Sequence, residues 1–212
     1  MKISSSFVRQ KLEGYGFTAT EQLCSQIVGY VDLLLGWNRK ISLTTVVNPE
    51  DIVRFHFGES IFALSQGVIA QGRLADVGTG AGFPGLPLRL AFPSIELTLL
   101  ESNMKKCVFL REAVRTLRLE SGVTICNDRS ENFARGPSDL GFDFVTARAV
   151  GHFDETLEFS KATLARGGRL VLWLGEREAG DLSTKHSSEW NWSDPVRIPG
   201  SDRRFLMWAN LK

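Results

Sequence analysis

No stretch of the 212-residue chain approaches the run of about 18 apolar side chains that crosses a bilayer, so a membrane-spanning helix is excluded. The start, Met1-Lys2-Ile3-Ser4, lacks the apolar core of a signal peptide. Cysteine is scarce. Cys24, Cys107 and Cys126 are odd in number and far apart, which fits neither a disulfide framework nor a zinc site. A reducing cytosol, a cytoplasmic location and a metal-free protein are the expectation. An excess of either charge is missing too, with a net charge of +1. A nucleic-acid substrate would therefore need a local basic surface. At 43% hydrophobic and 23% charged residues, the composition is that of a soluble globule large enough for one substantial core.

The stretch that organises the chain is Leu74-Ala-Asp-Val-Gly-Thr-Gly-Ala-Gly-Phe-Pro-Gly85. A short apolar strand, Arg73 to Val77, runs into glycines at 78, 80 and 82. Pro84 then suits a helix start, and Leu86, Leu88 and Leu90 follow. Strand, glycine turn and helix form the nucleotide-cofactor corner of an α/β sheet, where glycine lets the backbone approach a ligand. A dinucleotide fingerprint would place its third glycine at 83, but that residue is Phe83. Pro84 removes an N–H that a pyrophosphate would use, and Asp76 adds a negative charge. A cationic ligand reverses this logic, and S-adenosylmethionine is one. The run Ile95 to Leu100 ends in Glu101, a carboxylate placed to accept both ribose hydroxyls. Asp76, Gly78, Gly80 and Glu101 thus form one cofactor constellation, against the plainer reading of a tight turn and an ordinary surface Glu.

Around this corner the pattern is regular. Residues 4 to 66 read as helical, with one helix from Thr18-Ala-Thr-Glu21 to about Asn38. A second starts at Asn48-Pro49-Glu50-Asp51 and ends near Gly67. Strands are expected at Arg73 to Val77, Ile95 to Leu100, Val123 to Cys126, Phe142 to Thr146 and Arg169 to Leu174. Helices alternate with them, and two closing strands, about Pro195 to Ile198 and Arg204 to Ala209, form a hairpin. This predicts a doubly wound, mostly parallel, seven-stranded α/β sheet with helices on both faces. An N-terminal helical extension, 1–70, would lean on a core unit, 71–212.

Ligands of open α/β sheets sit beyond the carboxyl ends of the strands. After the third strand comes Asn127-Asp128-Arg129-Ser130-Glu131, whose backbone at Ser130 and Glu131 is placed to read an adenine edge. After the fourth comes Ala147-Arg148-Ala149, with Arg148 where a substrate would meet the methyl group. Arg129 and Arg148 read either as substrate contacts or as surface ion pairs. No Asp/Asn-Pro-Pro-Tyr/Phe motif is present, and Cys107 and Cys126 read as core residues, not nucleophiles. No general base is evident, which favours a nucleophile with a free lone pair such as guanine N7. His56 is either a helix-packing histidine or a residue over the cleft. Arg111, Arg115 and Arg118 form either a solvated face or a set of phosphate contacts.

At this point the chain resembles the ribosomal RNA small subunit methyltransferase G (glucose-inhibited division protein B) family. The resemblance rests on Tyr30-Val-Asp-Leu-Leu-Leu-Gly-Trp37-Asn38, Leu43-Thr44, His56 with Glu59-Ser60, Asp76 to Gly85, Asp128-Arg129-Ser130-Glu131 and Arg148-Ala149. It implies a class I, Rossmann-like methyltransferase fold with a helical cap, and cofactor contacts at Gly78, Phe83, Ser130, Glu131 and Arg148. It implies N7 methylation of a guanine in 16S ribosomal RNA. The substrate is expected to be that RNA or a small-subunit precursor, the protein a monomer, and Arg148, Arg129 and His56 the catalytic candidates. The chain departs from the pattern at Ser42, where an Asn is common, and at Leu174, where a Lys is common. Rival readings are methylation of a protein, another RNA or a small molecule, and a non-catalytic binder of S-adenosylmethionine.

Overall fold

The computed structural model describes residues 3–134, 141–148 and 153–212. Each early helix begins where the sequence supplies a cap. The Ser4 side chain accepts from the Phe7 N–H and opens α1 (Ser5–Glu13). Thr20 accepts from the Leu23 N–H and opens α2 (Glu21–Asn38), which buries Leu23, Ile27, Tyr30, Val31 and Leu34 on one face. Asn48 accepts from the Glu50 and Asp51 N–H groups ahead of α3 (Pro49–Ile52). The expected single helix from Asn48 to Gly67 is interrupted. α3 passes into a π-helical turn, Val53–Gly58, before α4 (Glu59–Ser65). Gly58 permits this path, because a Cβ there would strike the Tyr15 ring.

The sheet follows. β1 (Gly72–Val77), β2 (Ile95–Leu100), β3 (Val123–Cys126), β4 (Phe142–Arg148) and β5 (Leu164–Gly175) pair in parallel. They alternate with α5 (Gly85–Ala91), α6 (Met104–Thr116), α7 (Ser130–Ala134) and α8 (Phe153–Thr163). After α9 (Glu176–Lys185) come β6 (Trp190–Trp192), β7 (Val196–Arg197) and β8 (Arg204–Leu211). The order is β3-β2-β1-β4-β5-β8-β6, with β7 also pairing β8, and β8 runs antiparallel to β5, β6 and β7.

Eight strands replace the expected seven. The closing β7–β8 hairpin is present, but β6 and α9 carry weak signals. β6 is only three residues long, and half of α9 is charged, with Ala179 and Leu182 as its buried apolar residues. One apolar core joins the N-terminal helices to the sheet, with Leu12, Ile27, Leu34 and Phe57 in the same cluster as Leu74, Leu97 and Trp173. A second cluster, on Val145, Leu157, Leu172 and Trp190, lies under α8 and α9.

Candidate active site

Register places the functional residues in a row along the carboxyl edge. Val77 pairs with Leu100 and Ala147, Arg148 with Trp173, and Gly175 with Arg204. Glu101, Gly78, Arg148 and Trp173 therefore stand at the ends of adjacent strands, about 4.8 Å from strand to strand, with Gly175 and Arg204 paired two residues farther out.

The glycine turn is held from below. Gly78, Gly80 and Gly82 all have positive φ, at 64°, 58° and 82°. Asp76 is fully buried. Its Oδ2 accepts from Thr79 Oγ1 at 2.5 Å and from the Gly85 N–H at 2.9 Å, and its Oδ1 accepts from Thr146 Oγ1 at 2.8 Å. Burial raises its pKa to about 6, against the pull of these bonds. Asp76 thus ties the turn to the start of α5 and is absent from the cavity lining. Gly85 must be glycine because a Cβ would come within 2.8 Å of the same carboxylate.

Glu101 stands at the rim. Its Oε2 accepts from the Gly80 N–H at 3.0 Å and its Oε1 from the Asn103 N–H at 2.8 Å. One acceptor position remains on each oxygen. A cavity of about 240 Å³ opens here, lined by Gly78, Glu101, Arg129, Ser130, Glu131 and Thr156 among others. Two accepting carboxylate oxygens beside a glycine turn suit a ribose diol, so the residues present fit S-adenosylmethionine. Phe83 is placed differently from the other expected contacts. It packs against Tyr30, Phe57 and His56, with ring centroids 5.6, 5.3 and 4.7 Å away. Tyr30, whose hydroxyl donates to the Ala81 carbonyl at 2.5 Å, fastens α2 to the turn.

Beyond Arg148 lies a second cavity, of about 300 Å³, lined by Glu59, Arg148, Phe153, Trp173, Arg203 and Arg204 with others. The first turn of α8 borders both cavities, through Thr156 on one side and Phe153 on the other. Arg148 is held on two sides. Its Nη2 lies 3.2 Å from Glu59 Oε2 and 3.4 Å from His56 Nδ1. Glu59, only 1% exposed, also accepts from Arg204 Nη1 at 2.9 Å through both oxygens. Arg148 Nη1 is buried and has no hydrogen-bond partner among the described residues. Ala149, the other half of the Arg148-Ala149 pair, lies outside the described residues.

His56 sits in the π turn. A guanidinium only donates, so Nδ1 accepts from Arg148 and the ring proton is on Nε2, which donates to Thr44 Oγ1 at 2.8 Å. Burial first, then the Arg148 and Arg204 charges, lower its pKa to about 3. His56 is therefore neutral across the working pH range, and its free lone pair is already occupied. It packs on Phe83 and touches the strand-end Arg148, but it lines neither cavity.

Glu59 and Arg204 were not singled out as a charged pair by sequence, and no local signal could have joined residues 145 apart. The arginines of α6, read as a solvated face or as phosphate contacts, line neither of these two cavities. Asn103 caps that helix next to Glu101, and thirteen residues carry it about 20 Å toward the opposite edge. There Arg118 lines a cavity with Arg89 and Pro93.

Residues 23–197 match the family GidB, rRNA small subunit methyltransferase G. The chain belongs to this family. It is similar to the ribosomal RNA small subunit methyltransferase G of Desulfitobacterium hafniense (strain Y51), 43% identical over 150 residues, covering 70% of this chain and 61% of that protein. It is likewise similar to the protein of the same name from Streptococcus equi subsp. zooepidemicus (strain H70), 33% identical over 210 residues, covering 95% of this chain and 88% of that protein. A solved SAM-dependent methyltransferase from Aquifex aeolicus superposes with a TM-score of 0.60 at 16% identity, over 71% of this chain and 88% of that one. That likeness shows the fold alone. As a member of the methyltransferase G family, the chain is an S-adenosylmethionine-dependent methyltransferase of the Rossmann-like class.

Proposed function

We propose that the protein transfers a methyl group to N7 of a guanine in 16S ribosomal RNA. The first cavity holds S-adenosylmethionine, with Glu101 accepting the ribose hydroxyls and the backbone at Ser130 and Glu131 meeting the adenine edge. Gly78 gives room for close approach, and Arg129 closes the rim. When bound, S-adenosylmethionine supplies a methyl on a sulfonium; the S–C bond breaks as the N7–C bond forms, and the electron pair returns to sulfur. The second cavity takes the guanine. Arg148 cannot donate to N7, because that lone pair must attack, but its Nη1 can donate to O6. Glu59 and His56 hold the guanidinium in place, and Lys would not reproduce its planar fork. No residue needs to take a proton, which agrees with a His56 that is neutral and already engaged.

The observation that carries this reading is Arg148 itself, which lines the second cavity one strand from the glycine turn and whose buried Nη1 has no hydrogen-bond partner among the described residues. Single-turnover methylation of purified small-subunit RNA tests it. Arg148→Lys, which keeps a charge beside Glu59, should melt like the wild type. Its rate should fall at least tenfold, equivalent to about 1.4 kcal/mol of transition-state stabilisation. A wild-type rate in this variant would remove Arg148 from the reacting centre.

A further inference from the structure

Arg203 and Arg204 line the second cavity, and arginines pair with aromatic rings in the segments next to them. The Arg54 and Arg204 guanidiniums lie 5.4 and 5.5 Å from the Phe55 ring centroid. Across the β7–β8 pair, Arg197 faces Phe205 in register, and its guanidinium lies 5.6 Å from that ring. Arg203, between them, lines the cavity. A Cβ on Gly200 would come within 4.0 Å of Arg54, so the β7–β8 turn and the π turn meet over this patch. Neither Arg197 nor Arg203, both exposed, has a carboxylate within ion-pair distance among the described residues. Asp51 reaches Arg54 at 3.8 Å, both about two-fifths exposed, a pair worth little in water. Asp202 is the other acid in this turn, and Glu59 is already consumed below.

We infer that the carboxyl-edge end of the β7–β8 pair, with Arg54, Phe55 and Arg204 on one side of the sheet, Arg197 and Phe205 on the other and Arg203 in the turn before β8, is the docking surface for an unpaired RNA strand, rather than the arginine face of α6. The inference rests on the functional reading above and adds where the RNA lies. Guanidinium planes stacked on phenyl rings offer flat surfaces to splayed bases, and their outer N–H groups offer donors to phosphates. A duplex, whose bases are stacked away, would use the charges but not the planes. Position decides between the two arginine sets. Arg203 and Arg204 line the cavity that Arg148 lines, whereas Arg118 lines a different one, with Arg89 and Pro93, beyond the far end of α6.

The test is fluorescence anisotropy of the full chain with an unstructured RNA oligonucleotide and with a duplex of equal length, over a range of salt. Arg197→Ala/Arg203→Ala should keep the wild-type melting temperature and S-adenosylmethionine affinity. It should bind the single strand at least tenfold more weakly, and its log–log salt slope should drop by about 0.7 for each arginine removed. Arg115→Ala/Arg118→Ala should bind as the wild type does. A double variant of the first pair that binds the strand with unchanged affinity and slope would overturn the proposal. So would a wild type that binds the duplex as tightly as the single strand. If the wild type neither binds nor methylates ribosomal RNA, the functional reading falls and this one with it. If it methylates the RNA while Arg197→Ala/Arg203→Ala binds normally, only the surface is misplaced.

Discussion

Removing the Glu59 carboxylate should destabilise the protein more than any surface substitution. The side chain is 2% exposed and sits between Arg148, 12% exposed, and Arg204, 47% exposed. Burial pushes its pKa up, and the two guanidiniums oppose this. Glu59→Ala leaves both cations without their shared anion. Arg204 can turn to water, so that arm contributes little. Arg148 cannot, and breaking a buried pair from one side costs about 3–5 kcal/mol. Crediting the buried arm alone gives about 3 kcal/mol. In a chain of this size each kcal/mol is roughly 2–4 °C, so the melting temperature should fall by about 6–12 °C. The Glu59 main-chain carbonyl still accepts from Trp173 Nε1 in the variant, so the loss reports the carboxylate and not the anchor on β5. Glu59→Gln, which keeps the shape and one acceptor oxygen, should lose less. Thermal unfolding followed by circular dichroism measures this. A shift below about 2 °C for Glu59→Ala would mean that solvent neutralises Arg148 and that the ion-pair network does not organise the second cavity.

Gly78→Val should abolish S-adenosylmethionine binding, because position 78 has positive φ and lines the first cavity. An unchanged dissociation constant by calorimetry would place the cofactor elsewhere. Tyr30→Phe removes a buried hydroxyl and leaves the Ala81 carbonyl unpaired, at a cost of about 1–3 kcal/mol. Urea unfolding with no change in midpoint would refute it. His56 supplies a pH prediction. The unfolded chain protonates this residue below about pH 6.5, while the folded one holds it neutral down to about 3. Its pKa is depressed, so the native state loses stability as pH falls through that window. The stability deficit of His56→Gln relative to wild type should therefore shrink by about 2 kcal/mol between pH 7.5 and pH 5. A pH-independent deficit would show that His56 titrates alike in both states.

What could be read without coordinates was what short spacing encodes. Gly78, Gly80 and Gly82 announce a turn because three positive-φ positions need them, and Glu101 falls at the end of the next apolar run. Arg148 was visible as the residue where the fourth strand ends. The role of Asp76 was less legible, since its three donors come from the turn, from Gly85 and, through Thr146, from a neighbouring strand. Phe83 reads as part of the ligand turn, yet its ring belongs to the aromatic cluster with Tyr30 and Phe57. Arg204 looks like the first residue of a strand until β8 is seen to run antiparallel to β5, which brings its start to the carboxyl edge. The π turn has no sequence period of its own. Without it in view, Glu59 is only the neighbour of Ser60.

The most direct measurement is of the product. Small-subunit RNA should be incubated with the purified protein and labelled S-adenosylmethionine, digested to nucleosides and resolved by mass spectrometry. All of the label is expected in 7-methylguanosine, at a single site when the RNA is mapped by nuclease fragments. Label in any other nucleoside, or none in RNA while the protein binds S-adenosylmethionine, would contradict N7 transfer at this site.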